Sequence, residues 1–237
     1  MARKMEIASG RIGPVIFYIR NGKQCARSAP ASVRQTEPMK KRGANFSIAS
    51  RISSTIRKNM PAICSLEDGT RHSRLTGAFS RWLKTAGIDQ LETGPIPELK
   101  DFGLNPSKML GAKWKDHTEV IRNENGIVIK LSSLDARTMM AIPKHTRKWK
   151  WNISSITIPL DTNNKQASLS NQIIISSEEP VFNGTSISHE LPVIPGSIIL
   201  TGYSIECLDE NDEAVKVRKG FYPPAGFVYA EWCGLNG

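Results

Sequence analysis

The spacing of apolar and polar positions divides the chain into stretches of different periodicity. Residues 15–27 (VIFYIRNGKQCAR) alternate between two β-prone flanks around Asn21-Gly22, the dipeptide that supplies both positive-φ residues of a type I′ turn. That pattern predicts a hairpin with Val15, Phe17 and Ile19 on one face and Ile16, Tyr18 and Arg20 on the other. After a loop to Thr36 the period changes to that of a helix. Ala49, Ile52 and Ile56, with Phe46 and Met60 nearby, form a stripe over Glu37–Lys58. Thr36 is placed to cap this helix, and Pro38 falls in its first turn, where the missing N–H costs nothing. A second helix is predicted over Ser73–Ala86, with Leu75, Phe79, Trp82, Leu83 and Ala86 on one side and Gly87 as its stop.

Residues 88–118 are rich in turn formers and predict a connector, with a short helix at Ser107–Gly111 at most. From Glu119 onward the pattern is that of strands: Val120–Arg122 and Ile127–Leu131 around Asn125-Gly126, then Lys148–Leu160, Asn171–Ser177, Thr185–Leu191, Ser197–Leu208 and Ala225–Trp232. In Lys148–Leu160 the apolar positions fall at 149, 151 and 153, then at 156, 158 and 160. This slip of parity predicts a β-bulge or a strand that changes sheets. The expected fold is therefore α+β and mainly β: an N-terminal hairpin and two helices, then an antiparallel β-sandwich of jelly-roll or immunoglobulin-like type. Three parts are expected, a basic hairpin-helix arm over 1–60, a helix and connector over 61–118, and the sandwich over 119–237.

Charge adds what periodicity cannot. Residues 1–60 carry 13 Lys/Arg against Glu6 and Glu37 alone, residues 61–150 carry 15 against 10, and residues 151–237 carry 4 against 10. A basic head and an acidic tail speak to association rather than to fold. The polar start (MARKME) and the short apolar run Val15–Ile19 predict neither a secretory leader nor a membrane span, hence a soluble chain in the cytoplasm or in a particle.

The motifs of familiar chemistry are absent from the sequence. There is no phosphate loop, dinucleotide fingerprint or hydrolase elbow, and His72, His117, His145 and His189 are isolated. Cys25, Cys64, Cys207 and Cys233 form no Cys-x-x-Cys pair; free buried thiols are the expectation, although Cys207 and Cys233 fall in strands that could be neighbours. No metal site or cofactor is expected: the acidic tip Asp209–Glu213 lacks the glycine and spacing of a calcium loop. Trp149 and Trp151 share a strand face and predict core, with base or sugar stacking as the other option. A carbohydrate-directed enzyme would need an acidic pair, for which Glu178, Glu179 and Glu231 are the candidates.

The basic segment is the candidate site. Its cations are Arg20, Lys23 and Arg27 around the hairpin tip, Arg34 in the loop, and Lys40, Lys41, Arg42, Arg51, Arg57 and Lys58 on the first helix. Lys40, Lys41 and Arg42 crowd the positive end of the helix dipole, a placement that opposes local stability by up to about 1 kcal/mol each at low salt. Residues that oppose stability point to a role in binding.

The run Gly13–Ser28 (GPVIFYIRNGKQCARS), with Val33–Thr36 and the basic helix after it, resembles the start of a family of uncharacterised Bacteroidota proteins. The resemblance implies a hairpin and helix leading into a β-rich C-terminal half, and it carries no activity. The sequence thus predicts a non-enzymatic assembly subunit of a virion, phage-derived particle or filament. Its basic arm would contact a second copy or another assembly protein. The alternative is a sequence-blind nucleic-acid binder that uses the same arm on phosphates.

Overall fold

The computed structural model describes residues 9–29, 35–64, 68–86, 91–99, 102–105, 113–139, 143–161, 166–215 and 223–235. The chain divides into two compact units, residues 1–41 and 42–237. The first contains an antiparallel sheet of β1 (Gly10–Ile12), β2 (Val15–Arg20) and β3 (Lys23–Ser28), in that order. Asn21 and Gly22 take φ of 52° and 73°, the two left-handed residues the turn between β2 and β3 needs. The hairpin stands as predicted, with one strand, β1, added before it.

Helix α1 (Glu37–Asn59) starts where Pro38 and Thr36 predict, and the Thr36 carbonyl accepts from Lys40 N at 3.0 Å. Its second half buries Ala49, Ile52 and Ile56 in a cluster with α2 (Arg71–Ala86) and with the main sheet. Leu75, Phe79, Trp82 and Leu83 of α2 lie in the same cluster, as their spacing predicts. Residues 42–60 therefore belong to the body, not to a free-standing arm, because their apolar stripe is part of its core. The helix expected at Ser107–Gly111 lies outside the described residues.

The body continues through β4 (Gly94–Pro95), β5 (Thr118–Asn123), β6 (Gly126–Leu131), β7 (Leu134–Asp135), the single turn α3 (Ala136–Met139), β8 (Lys148–Pro159), β9 (Ala167–Ser176), β10 (Val181–Phe182), β11 (Thr185–Glu190), β12 (Ser197–Leu208) and β13 (Ala225–Cys233). Five strands form the main antiparallel sheet in the order β4-β13-β12-β8-β9. Three form a second sheet, β11-β6-β5, and β7 pairs with β10. The protein is α+β and mainly β, with a sandwich-like pair of antiparallel sheets, as its sequence predicts.

The parity slip in β8 has a different cause from the one expected. All 12 residues of β8 pair with β12 in unbroken register, from Lys148↔Leu208 to Pro159↔Ser197. Trp149, Trp151 and Ile153 point to one face, where they meet Ile129 and Leu131 of β6, Tyr203 and Ile205 of β12, and Trp114. Ile156 and Ile158 point to the opposite face, with Ile198 and Leu200, against α1 and α2. One regular strand thus covers two cores in succession, first under the small sheet and then under the helices. Full burial of each such isoleucine contributes about 1.5–3 kcal/mol. The register shift in this sheet lies instead between β12 and β13, at Thr201/Gly202.

Trp149 and Trp151 are core residues, and Trp151 meets Trp114 edge to face at 5.2 Å. Cys207 and Cys233 are not neighbours. Cys207 sits opposite Trp149 and Cys233 opposite Ser197, ten residues apart along β12, or about 33 Å. Burial pushes the Cys207 thiol up to about 11, against a weaker opposing hydrogen bond with Thr146, so it stays an unreactive thiol.

Candidate partner-binding surface

Register turns the first sheet into two chemically distinct faces. Residues directly opposite in an antiparallel pair point to the same side. Arg11↔Ile16↔Arg27, Tyr18↔Cys25 and Arg20↔Lys23 therefore share one face, and Ile12↔Val15↔Ser28, Phe17↔Ala26 and Ile19↔Gln24 share the other. The first face carries four cations around Tyr18. The second carries Ile12, Val15, Phe17 and Ile19, of which Ile12 is 66% and Ile19 50% exposed. Arg20 and Lys23, like charges set directly opposite, repel each other across the ladder. Arg11 was missed by sequence reasoning, because the three-residue strand that aligns it with Arg27 leaves no alternating pattern.

The helical cations fall into two groups. Lys40, Lys41 and Arg42 are exposed on the first turns of α1, where every residue from Glu37 to Ser47 except Asn45 is exposed. Lys40 pairs with Glu37 at 2.7 Å, and both side chains are in solvent, so the pair adds little. Arg51 is exposed and also makes a contact within the body. Its guanidinium donates to the Leu160 carbonyl at 2.6 Å and ties α1 to the end of β8. Arg57 and Lys58 occupy the last turn of α1, where the dipole favours cations, so helix stability already accounts for them. Arg34 lies outside the described residues. Arg20, Lys23, Arg27, Lys41, Arg42, Arg57 and Lys58 form no ion pair among the described residues. Among the described residues, no carboxylate pairs with Arg11, Arg20, Lys23 or Arg27 of the first sheet.

Acidic residues of the body gather in residues 151–237, which hold 10 Asp/Glu against 4 Lys/Arg. Glu178 and Glu179 are exposed in the bend after β9, as are Glu190, Glu210 and Glu213. Asp212, also exposed, pairs with Lys148 at 2.7 Å. Asp209 Oδ1 accepts from Asn211 N and Glu213 N at 2.8 and 3.0 Å, so this loop tip is a self-capped turn. Among the described residues no group of three His, Cys, Asp or Glu could hold a metal ion.

Three constellations bear on catalysis. Glu231 on β13 is held by Arg122 of β5 and by the Tyr229 hydroxyl, which burial, then the neighbouring carboxylate, pushes well above its ordinary range. Glu178 and Glu179 follow β9, separated from β13 by β8 and β12, so about 14 Å lies between them across the sheet alone. Paired glycosidase carboxylates stand within about 9.5 Å of each other, so this acidic pair is not formed. His117 Nδ1 lies 2.9 Å from Ser132 Oγ, at the lip of a cleft of about 600 Å³. The Ser132 amide also donates to the His117 carbonyl, which makes the pair a one-residue extension of the β5–β6 ladder.

The third constellation is buried. His189 of β11 contacts Ser155 Oγ of β8 through Nδ1 and Asn171 Oδ1 of β9 through Nε2, both at 2.7 Å, and Ser155 meets Thr201 at 3.0 Å. With Nε2–H donating to Asn171, Nδ1 is left to accept the Ser155 proton. Ser155 is fully buried and His189 1% exposed, and burial pushes the imidazole below its ordinary range. A nucleophile sealed between two sheets meets no substrate. This network stitches the sandwich together, and only the β11 pairing, invisible in the sequence, brings its members to one point.

A second cleft, of about 530 Å³, is lined mainly by apolar groups of β13 and of the segment Pro95–Leu99, together with Lys115 and Asp116. No described helix is long and apolar enough to cross a membrane. Comparison of this chain with known protein families, with characterised proteins and with solved structures finds no match.

Proposed function

We propose that this chain is a non-enzymatic assembly subunit whose basic N-terminal sheet docks on a neighbouring copy or another assembly protein in a particle or filament. The observation that carries this reading is the two-faced sheet of residues 10–28, with Arg11, Arg20, Lys23 and Arg27 on one side and exposed Ile12 and Ile19 on the other. A small sheet needs an apolar partner to be stable in its own right. A protein surface with an acidic rim satisfies both faces at once, because desolvated apolar contact supplies affinity and opposite charge supplies register and on-rate. The acidic residues of the body make such a contact between copies heterologous, the type that closes into rings or continues as fibres.

Nucleic acid is the second reading, favoured by one observation: Tyr18 stands among the four cations, an arrangement suited to stacking beside phosphate contacts. That reading uses one face and leaves Ile12 and Ile19 in water. Sedimentation velocity of nuclease-treated protein separates the two. Oligomers that shrink as salt rises from about 0.05 to 0.5 M, where the screening length falls to a few ångströms, support assembly. A monomer at low salt that shifts random duplex DNA with a steep salt slope overturns it in favour of the binder.

A further inference from the structure

The main sheet has one long edge that is undefended. Strand β9 (ASLSNQIIIS) is an edge strand of ten residues, about 34 Å, with no charged residue and no proline. Natural proteins blunt such edges with lysines, prolines, bulges or a covering segment. Here Ser168 to Gln172 are exposed, as are Leu169 (39%) and Ile174 (53%), and no described strand pairs with the outer side of β9. The acids Glu178 and Glu179 follow its C-terminal end, exposed and without an ion pair among the described residues. Strand β3 (KQCARS), six residues or about 20 Å, is an edge of the first sheet. It begins at the cationic tip, where Lys23 faces Arg20.

We infer that β3 of one copy adds antiparallel to the β9 edge of a second copy, so that the first sheet of one subunit extends the main sheet of the next. The inference rests on the assembly reading above and names the surface it would use. Direction follows from charge. An antiparallel neighbour begins where β9 ends, which sets Lys23 and Arg20 beside Glu178 and Glu179. The uncharged run of β3, Gln24-Cys25-Ala26, then lies along the uncharged run Ile173–Ile175 of β9. A parallel arrangement would carry the tip cations to the other end of β9, away from both glutamates. Pairing of β9 with β9 of a second copy would satisfy the edge and leave Arg20 and Lys23 repelling each other in solvent. Backbone ladder bonds supply affinity in such strand addition, and the terminal charges fix direction and register.

A charge-exchange cycle on the full-length protein tests this. The variants are Glu178→Lys/Glu179→Lys, Arg20→Glu/Lys23→Glu, and the four changes combined, followed by sedimentation velocity at physiological salt. Each paired reversal is expected to weaken self-association at least about tenfold, and the combined variant to regain most of it. In assembled wild-type protein, amide hydrogen exchange at 171–176 is expected to slow relative to dissociated protein. Undiminished association of either paired variant, failure of the combined variant to recover, or unprotected 171–176 amides in the wild-type assembly overturns the β3–β9 contact while leaving assembly standing. A wild-type protein that stays monomeric overturns the assembly reading itself. The exchange measurement needs no variant, so a substitution that disturbs folding does not shield the inference.

Discussion

Gly202 lies at the point where β12, β13 and the chain after α1 converge, and adding one methyl group there probes how the core is closed. A Cβ at this position would stand 2.5 Å from Ile63 Cδ1, 3.1 Å from the Gly226 carbonyl oxygen and 3.2 Å from Phe227 Cδ1. Ile63 and Phe227 are buried in the helix-side core, so neither can swing into solvent. The register shift between Thr201 and Gly202 further fixes the backbone of β13 at this point. Over-packing of a closed core costs about 1–3 kcal/mol, and three close approaches place Gly202→Ala near the middle of that range, at about 2 kcal/mol. Ile63→Val removes the closest atom and by itself costs about 0.5–1.5 kcal/mol. If the clash with Cδ1 dominates, the double variant loses about 2 kcal/mol rather than the additive sum of about 3 kcal/mol, a coupling near 1 kcal/mol. Urea denaturation of the four proteins measures this, with the midpoint moving and the slope constant. Strict additivity, or a Gly202→Ala protein within about 0.5 kcal/mol of the parent, would refute the packing described here.

Two further outcomes follow from buried polar groups. His189 is held neutral in the fold and charges freely in the unfolded chain, with an ordinary value near 6.5. Between its lowered folded value and about pH 6.5 the unfolded state binds more protons, so the stability it confers is complete above that pH and is lost as pH falls below it. Unfolding free energies measured from pH 8 to 5 should fall, and His189→Gln, which keeps a donor and an acceptor, should flatten the fall; an unchanged slope counts against the network. The Arg71 side chain is 4% exposed as a residue and donates to the Leu104 carbonyl at 3.0 Å, the Cys64 carbonyl at 2.7 Å and Asn105 Oδ1 at 3.4 Å. Arg71→Met takes the guanidinium from the Cys64 carbonyl and Asn105 Oδ1, while Leu104 keeps Arg74 at 3.0 Å, and should cost about 2–4 kcal/mol by the same denaturation assay, with a loss under 0.5 kcal/mol contradicting a structural role.

The sequence by itself determined what depends on near neighbours along the chain. The Asn21-Gly22 turn, the start of α1 at Thr36 and Pro38, the α2 stripe, the extent of Ser197–Leu208 and that of Ala225–Trp232, which the structure lengthens by Cys233, all rest on local φ preferences and on period. The cationic bias of the first 60 residues was legible in the same way, as was the burial of Trp149 and Trp151. Tertiary structure decided everything that needs a partner distant in sequence. It showed that β8 keeps perfect pairing while its two faces feed two cores, because which face is apolar depends on what lies above and below the sheet. It tied Arg51 to a carbonyl 109 residues away, and it added Arg11 through the β1–β2 register. It joined His189 to Ser155 and Asn171, and it parted Cys207 from Cys233 along the length of β12. Local preferences are set by covalent geometry and read within a few residues, whereas register and burial are set by where the whole chain closes upon itself.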